Sequence, residues 1–193
     1  MNFLAHAVLA GEDPALIVGG VLGDWIKGPL PGTLPPDLAR GVALHRAIDS
    51  YAETHPAFCR SRNRVSPQCR RYAGVLVDIF YDHLLARDWP QHQSLALDTY
   101  CATVYRQIAN RLPDLPKHAH HAMNLMASED WLHSYADLDG IADVLYRMSL
   151  RVKRTNPLAG AEEEFTADPA GFLEDFLDWH TDAQAFTKQW TAR

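Results

Sequence analysis

Two short segments of this chain place acidic and imidazole side chains one helical turn apart. His45 lies four residues before Asp49, and Asp78 lies four residues before Asp82, which His83 directly follows. Residues four apart share one face of an α-helix, with about 5–6 Å between their Cβ atoms. Carboxylates and imidazoles held that close can bind a divalent metal ion or exchange protons with a substrate.

The second segment lies within a mostly apolar stretch, residues 72–85. Its carboxylates are therefore expected in or beside a hydrophobic core, where an ionised group needs a compensating cation. A divalent metal would supply that charge, and so would a salt bridge to an arginine such as Arg46 or Arg87. The residue pattern leaves both interpretations open, and His45 with Asp49 could equally be an ordinary pair on a helix face.

Three further residues are candidates for the same site. His6 lies among apolar residues, and a histidine in such a context is more often a hydrogen-bonded core residue than part of a functional site. Asp24 could cap a turn, or it could serve as a metal ligand or a base. Lys27 could be a solvated surface residue or a phosphate contact, and it precedes a loop rich in glycine and proline, residues 28–35.

Size and charge limit the classes of protein to consider. With 193 residues, 47% of them hydrophobic, the chain can bury one sizeable core, and we expect one domain over residues 1–193. A formal charge of −6 argues against general nucleic-acid binding. A basic stretch departs from that average, and it is either a solvated face or a surface for an acidic partner. Its members are Arg60, Arg62, Arg64, Arg70 and Arg71.

The cysteines and the hydrophobic segments predict the compartment. Cys59, Cys69 and Cys101 are odd in number and lack CxxC spacing, which favours a reducing environment over a disulfide scaffold. The apolar run at residues 15–22 is too short to span a bilayer, and the first residues lack the basic region of a signal peptide. We therefore expect a cytoplasmic protein that does not insert into membranes.

Helix signals recur along the chain, and no segment alternates convincingly like a strand. Asp13, Ser66 and Asp168 each precede a proline, a combination typical of a helix start. Pro36 can begin another helix, which should end before Pro56. Further helices are predicted over residues 95–112, 123–135, 141–153 and 169–190. These signals predict an all-α fold.

Four separated motifs, taken together, indicate one protein family more specifically than any single motif does. They are residues 2–6 (NFLAH), 23–28 (GDWIKG), 45–49 (HRAID) and 78–84 (DIFYDHL), with weaker agreement at 128–132 (SEDWL) and near Arg151. In this order they resemble the acyl carrier protein phosphodiesterase family, an atypical relative of the metal-dependent, all-α HD-domain phosphohydrolases. The resemblance implies an HD-domain-like helical domain that hydrolyses the phosphodiester between 4′-phosphopantetheine and a serine of holo-acyl carrier protein, leaving the apo protein.

The resemblance also implies roles for the candidate residues. The metal and water-activation centre would comprise Asp24, His45, Asp78, Asp82 and His83. Asp49 would orient His45 or join the ligands, while His6 and Lys27 would contact phosphate or act as general acids. These donors suit Mn²⁺, which we favour, or Mg²⁺. The order Asp82-His83 reverses the His-Asp pair that names the HD superfamily, so this part of the ligand set departs from the superfamily pattern.

The basic stretch would then be the docking surface for an acidic carrier protein. Two other functions are compatible with the residues. One is a phosphohydrolase that acts on a nucleotide or another small phosphoester, and the other is a helical module that binds the carrier protein without catalysis. Metal-dependent turnover of a small phosphoester would favour the first, and binding without turnover would favour the second.

Overall fold

The structure is a computed structural model that describes residues 3–193, so Asn2 of the first motif lies outside the described residues. Within that range the chain forms α-helices and short 3₁₀ turns, with no β-strand. The predicted all-α class is confirmed. The helices are α1 (Phe3–Leu9), α2 (Pro14–Leu22), α3 (Pro36–Thr54), α4 (Pro56–Arg64), α5 (Ala73–Arg87), α6 (Leu97–Arg111), α7 (Lys117–Ser128), α8 (Trp131–Ser134), α9 (Leu138–Arg151), α10 (Glu162–Ala167) and α11 (Pro169–Thr191).

Two of the predicted helix starts are confirmed by their capping hydrogen bonds. The Asp13 carboxylate accepts hydrogen bonds from the first backbone N–H groups of α2, and Asp168 accepts one from Gly171 N in α11. Such bonds satisfy donors that the helix itself leaves unpaired. As predicted, α3 begins at Pro36 and ends before Pro56.

The predicted helix start at Ser66 is wrong, because the next helix begins only at Ala73. The Ser66 hydroxyl donates to Glu164 Oε1 at 2.5 Å, and its backbone N–H donates to Glu164 Oε2 at 2.7 Å, so a distant acid engages the expected cap. The predicted helix over residues 123–135 begins earlier and is interrupted at Asp130, whose φ of 49° is left-handed.

The N-terminal helices approach each other unusually closely. A Cβ on Gly19 of α2 would lie 2.6 Å from Gly41 Cα of α3, so two glycines permit this crossing. The short helix α1 packs against both α2 and α5. One buried apolar cluster extends from Phe3 to Ala183 and is shared by these helices and the C-terminal ones. The fold therefore brings α1, α2, α3 and α5 together around a common point.

The longest helix, α11, is fixed to α4 by a buried acid. Asp175 is fully buried, and it accepts hydrogen bonds from Arg60 Nε at 2.6 Å, Arg64 Nε at 2.8 Å and Ser61 Oγ at 3.1 Å. Ion pairs stabilise a buried carboxylate that would otherwise be costly. Within the part of the chain described, no helix is both long enough and apolar enough to cross a membrane.

We expect Asp175→Asn to lower the free energy of unfolding by about 2–3 kcal/mol, because two arginines and a buried serine would lose their charged acceptor. Urea denaturation monitored by circular dichroism measures this loss. The matched control is Asp178→Asn, which removes one exposed ion pair with Arg60 and should cost less than about 1 kcal/mol. Equal losses in the two variants would show that the buried acid does not fix α11 to α4.

Candidate active site

Three polar side chains meet where α1 crosses α3. His6 Nε2 lies 3.1 Å from Asp49 Oδ1, and His45 Nε2 lies 3.2 Å from Asp49 Oδ2. The two imidazole rings stack with their centroids 3.9 Å apart. Their ligand atoms and that of Asp49 lie within 4.8 Å of one another, and no other such group of three occurs within residues 3–193. We call these residues the His6/His45/Asp49 cluster.

The His45 ring is held in place by α2. Its Nδ1 lies 2.7 Å from the carbonyl oxygen of Gly20, within hydrogen-bond distance. A Cβ at position 23 would overlap the imidazole, so Gly23 provides the space that the ring occupies. Both histidines are buried, with exposed fractions of 1% for His6 and 3% for His45. Backbone contacts therefore fix the direction in which His45 Nε2 points.

The hydrogen-bond pattern calls for positive charge at or beside the His45 ring. A carbonyl oxygen only accepts hydrogen bonds, so His45 Nδ1 must carry the proton that Gly20 receives. In a neutral imidazole, the lone pair of Nε2 would then face Asp49 Oδ2 at 3.2 Å and Asp24 Oδ1 at 3.8 Å. Lone pairs that face one another repel unless the ring is protonated or a metal ion binds between them.

The protonation states of the other two cluster members suit a metal. Burial, together with the neighbouring His45, lowers the pKa of His6 to about 4, so His6 is neutral at physiological pH. Partial burial raises the pKa of Asp49, but the His45 and His6 imidazoles, each within hydrogen-bond distance of one of its oxygens, outweigh burial and hold that pKa well below its usual range. Neutral imidazoles and ionised carboxylates are the forms that bind metal ions.

An open cavity of about 400 Å³ adjoins the cluster, and we call it the acidic cavity. Asp24, Asp49 and Asp78 line it, and Asp24 Oδ2 is buried with no hydrogen-bond partner among the described residues. Burial raises the pKa of Asp78, and the nearby charges of Asp49 and Asp24 raise it further. The cavity thus brings three carboxyl groups close to the cluster, and a divalent cation there would stabilise their ionised forms.

The chain matches the family described as "Acyl carrier protein phosphodiesterase" over residues 1–183. The chain belongs to the acyl carrier protein phosphodiesterase family. The curated protein of this name from Yersinia pestis is 35% identical over 162 residues, which cover 83% of this chain and 84% of the relative. The protein of the same name from Salmonella dublin is 33% identical over 181 residues, 93% of each chain.

No solved structure matched the chain. The family that the sequence motifs predicted is confirmed, and its name denotes a phosphoric diester hydrolase, the predicted enzyme class. The likeness to HD-domain proteins stays a prediction.

The cluster contains three of the predicted site residues, and Asp24 and Asp78 lie in the adjoining cavity. Asp82 has a different position. It is fully buried, and its carboxylate oxygens accept hydrogen bonds from Leu4 N at 3.1 Å and Ala5 N at 2.8 Å. Burial raises the pKa of Asp82 to about 8. Asp82 thus holds the first turn of α1, the helix that carries His6.

The remaining predicted site residues are not brought into the cluster. His83 Nδ1 lies 2.8 Å from the Tyr135 carbonyl oxygen, and its ring packs edge-on against Phe165. Lys27 is exposed and does not line the acidic cavity. The alternative salt bridges are not formed either, since Arg87 pairs with Asp88 and Arg46 donates to a backbone carbonyl oxygen.

The five arginines of the basic stretch divide into two groups. Arg60 and Arg64 are paired with acids of the α11 region, and Arg70 donates to acceptors at residues 62 and 63. Arg62 and Arg71 line the acidic cavity, are exposed, and form no ion pair within residues 3–193. The sequence pattern did not reveal that these two guanidinium groups share a cavity with Asp24 and Asp49.

The glycines that hold His45 were also missed, although the sequence contains a signal for them. Gly19, Gly20 and Gly23 place small residues three to four apart along α2 and its extension. That spacing indicates a helix face that another element approaches closely. Gly23 is adjacent to Asp24, so the same turn provides both the space for His45 and the neighbouring carboxylate.

We expect Gly23→Ala to weaken Mn²⁺ binding by about 10–100-fold, because the added methyl group would displace the His45 ring. Isothermal titration calorimetry on the full chain measures the affinity. The matched control is Gly74→Ala, whose new methyl group would meet no atom within 4 Å and should leave the affinity unchanged. Unchanged Mn²⁺ affinity in a folded Gly23→Ala variant would exclude His45 as a ligand.

Proposed function

We propose that this protein hydrolyses the phosphodiester between 4′-phosphopantetheine and a serine of holo-acyl carrier protein, releasing the apo protein. Membership of the family supports the reaction class. The observation that carries the proposal is the His6/His45/Asp49 cluster, whose nitrogen and oxygen atoms converge beside a cavity lined by acids and by two arginines that form no ion pair with another described residue. The reaction would take place in the cytoplasm, where we expect the protein to be.

We assign the cluster as a divalent metal site. His6, His45 and Asp49 would hold the ion, with Asp24 as a further ligand or as the base beside it. Mixed imidazole and carboxylate donors suit Mn²⁺ better than Mg²⁺, which prefers oxygen and water ligands. A bound ion would neutralise phosphate charge and lower the pKa of a coordinated water molecule.

The chain's own residues have distinct tasks in this proposal. Asp24 has a buried oxygen that receives no hydrogen bond from the described residues, so it can accept a proton from the attacking water. Arg62 and Arg71 can hold the anionic phosphodiester, because guanidinium groups bind phosphate oxygens through paired N–H donors. Asp82 and His83 act outside this centre. Asp82 positions His6 by capping α1, and His83 fixes the backbone near Tyr135.

The proposed docking surface is narrower than the whole basic stretch. Arg60 and Arg64 are already neutralised by Asp175 and its neighbours, so they contribute little to attracting an acidic protein. Arg62 and Arg71 remain available beside the cavity and would draw the carrier protein's serine-linked phosphate into it.

Intact mass spectrometry of holo-acyl carrier protein tests the reaction. We expect the wild-type protein with Mn²⁺ to remove the phosphopantetheine mass, and excess chelator to stop it. His45→Gln should slow release at least about 100-fold because it removes a ligand, while His121→Gln on the exposed surface of α7 should not. Release that continues in chelator would contradict the metal, and no release by the folded wild-type protein would contradict the reaction.

We expect Arg62→Ala combined with Arg71→Ala to raise the KM for holo-acyl carrier protein about tenfold or more at low salt, because two phosphate contacts are lost. The matched control is Arg106→Ala combined with Arg154→Ala, which removes the same charge from exposed positions elsewhere. If both double variants raise KM equally, net charge explains the effect and the cavity arginines do not bind the phosphate.

A further inference from the structure

A second, more enclosed cavity of about 130 Å³ lies among α1, α8 and α9 and the 3₁₀ turn Gly23–Trp25. We call it the aromatic pocket. Most of its accessible wall is apolar, and this part is formed by Phe3, Trp25, Trp131, Tyr135, Val144 and Met148. Charged side chains, among them Glu129, Asp143, Arg147 and Arg151, complete the lining. No step of the proposed reaction uses these side chains.

The aromatic pocket adjoins the acidic cavity through consecutive residues. Asp24 lines the acidic cavity and Trp25 lines the aromatic pocket, both within a single turn. Phe3 stacks on Trp25 with ring centroids 5.2 Å apart, and it lies one helical turn before His6 in α1. A substrate whose phosphate binds beside Asp24 would therefore place the group next to that phosphate against Trp25.

The walls of the aromatic pocket are held rigidly. The indole N–H of Trp131 donates to Glu129 Oε2 at 2.9 Å, and Glu129 also pairs with Arg147. Tyr135 is 1% exposed and fixed in the core. A pocket whose walls are already ordered binds an apolar group without the entropic cost of ordering its own side chains.

The size of the pocket limits what it can hold. A dry apolar cavity of about 150 Å³ accommodates benzene, so 130 Å³ fits a group of about six non-hydrogen atoms. The phosphopantetheine arm contains one compact apolar unit, the carbon with two methyl groups, which a single CH₂ group joins to the phosphate ester oxygen. The rest of the arm carries a hydroxyl group, two amides and a terminal thiol, and these polar groups match apolar walls less well.

We propose that the aromatic pocket binds the dimethyl-bearing segment of the phosphopantetheine arm, next to the phosphate. This inference rests on the proposed function, because it assumes that the arm's phosphate occupies the acidic cavity. The pocket would then select pantetheine-linked phosphodiesters over those whose phosphate carries an unbranched alkyl group. It would also orient the scissile bond by fixing the substrate on one side of the phosphorus.

The test combines a pocket variant with a substrate variant. Val144→Phe should fill the pocket, and its matched control is Leu150→Phe on the exposed face of the same helix. The substrates are holo-acyl carrier protein and the same protein carrying an arm without the two methyl groups. The wild-type protein and Leu150→Phe should show about tenfold lower kcat/KM for the arm without methyl groups. Val144→Phe should be slow with both arms and no longer distinguish them.

Thermal unfolding and Mn²⁺ titration of Val144→Phe separate a filled pocket from a misfolded protein. If Val144→Phe does not fold, Val144→Ala serves instead, because a widened pocket should reduce the preference for the methyl groups. Equal kcat/KM of the wild-type protein for the two arms would overturn the pocket assignment, and so would an undiminished preference in a folded pocket variant. Failure of the wild-type protein to release either arm would instead overturn the proposed function.

Discussion

The contact between His45 and the Gly20 carbonyl is the constraint on which the site depends. That contact determines which ring nitrogen carries the proton, and it turns the other nitrogen toward Asp49 and Asp24. It exists only because α2 and α3 cross at a distance that two glycines allow, and because position 23 has no side chain. The close packing of two helices thus affects charge, because either a proton or a metal ion has to lie between His45 Nε2 and the carboxylates.

The aspartates discussed here fall into two groups, according to which neighbouring groups compensate the carboxylate. Asp175 and Asp82 are both fully buried, and the protein itself supplies their donors, arginines and a serine in one case and backbone N–H groups in the other. These residues hold helices together. Asp24 and Asp49 instead share a cavity, where His45 lies near both acids, His6 lies near Asp49, and two exposed arginines line the wall. In the proposed function, a cation and an anionic substrate would compensate the remaining charges of that cavity.

Local sequence spacing predicted some of this arrangement and missed the rest for identifiable reasons. The spacing of His45 and Asp49 within one helix predicted their contact correctly, because both lie on the same face of α3. The same rule placed Asp78 and Asp82 together, but it could not show that Asp82 meets the start of a helix about 78 residues away in the sequence. His6 became a candidate through the family motif, since spacing alone favoured an ordinary core histidine.

The predicted helix starts also show that local sequence does not reveal contacts with distant residues. Asp13 caps α2 as its sequence context predicts, because the cap and its donors are neighbours in the chain. Ser66 has an equally good local context, yet Glu164 engages both its hydroxyl and its backbone N–H, and the helix begins later. Long-range hydrogen bonds override local propensity wherever a distant side chain can reach a cap, and one sequence does not reveal them.

Helix α1 contributes residues both to the aromatic pocket and to the His6/His45/Asp49 cluster. It carries Phe3, which stacks on Trp25 in the aromatic pocket, and His6, which contacts Asp49 in the cluster. A seven-residue helix has little stability of its own, so its position depends on the hydrogen bonds that Asp82 accepts at its first turn. One buried carboxylate therefore helps to place both His6, the proposed metal ligand, and Phe3, a wall of the aromatic pocket. Because both residues belong to one helix, the proposed phosphate site and the proposed pocket for its attached group share a common support.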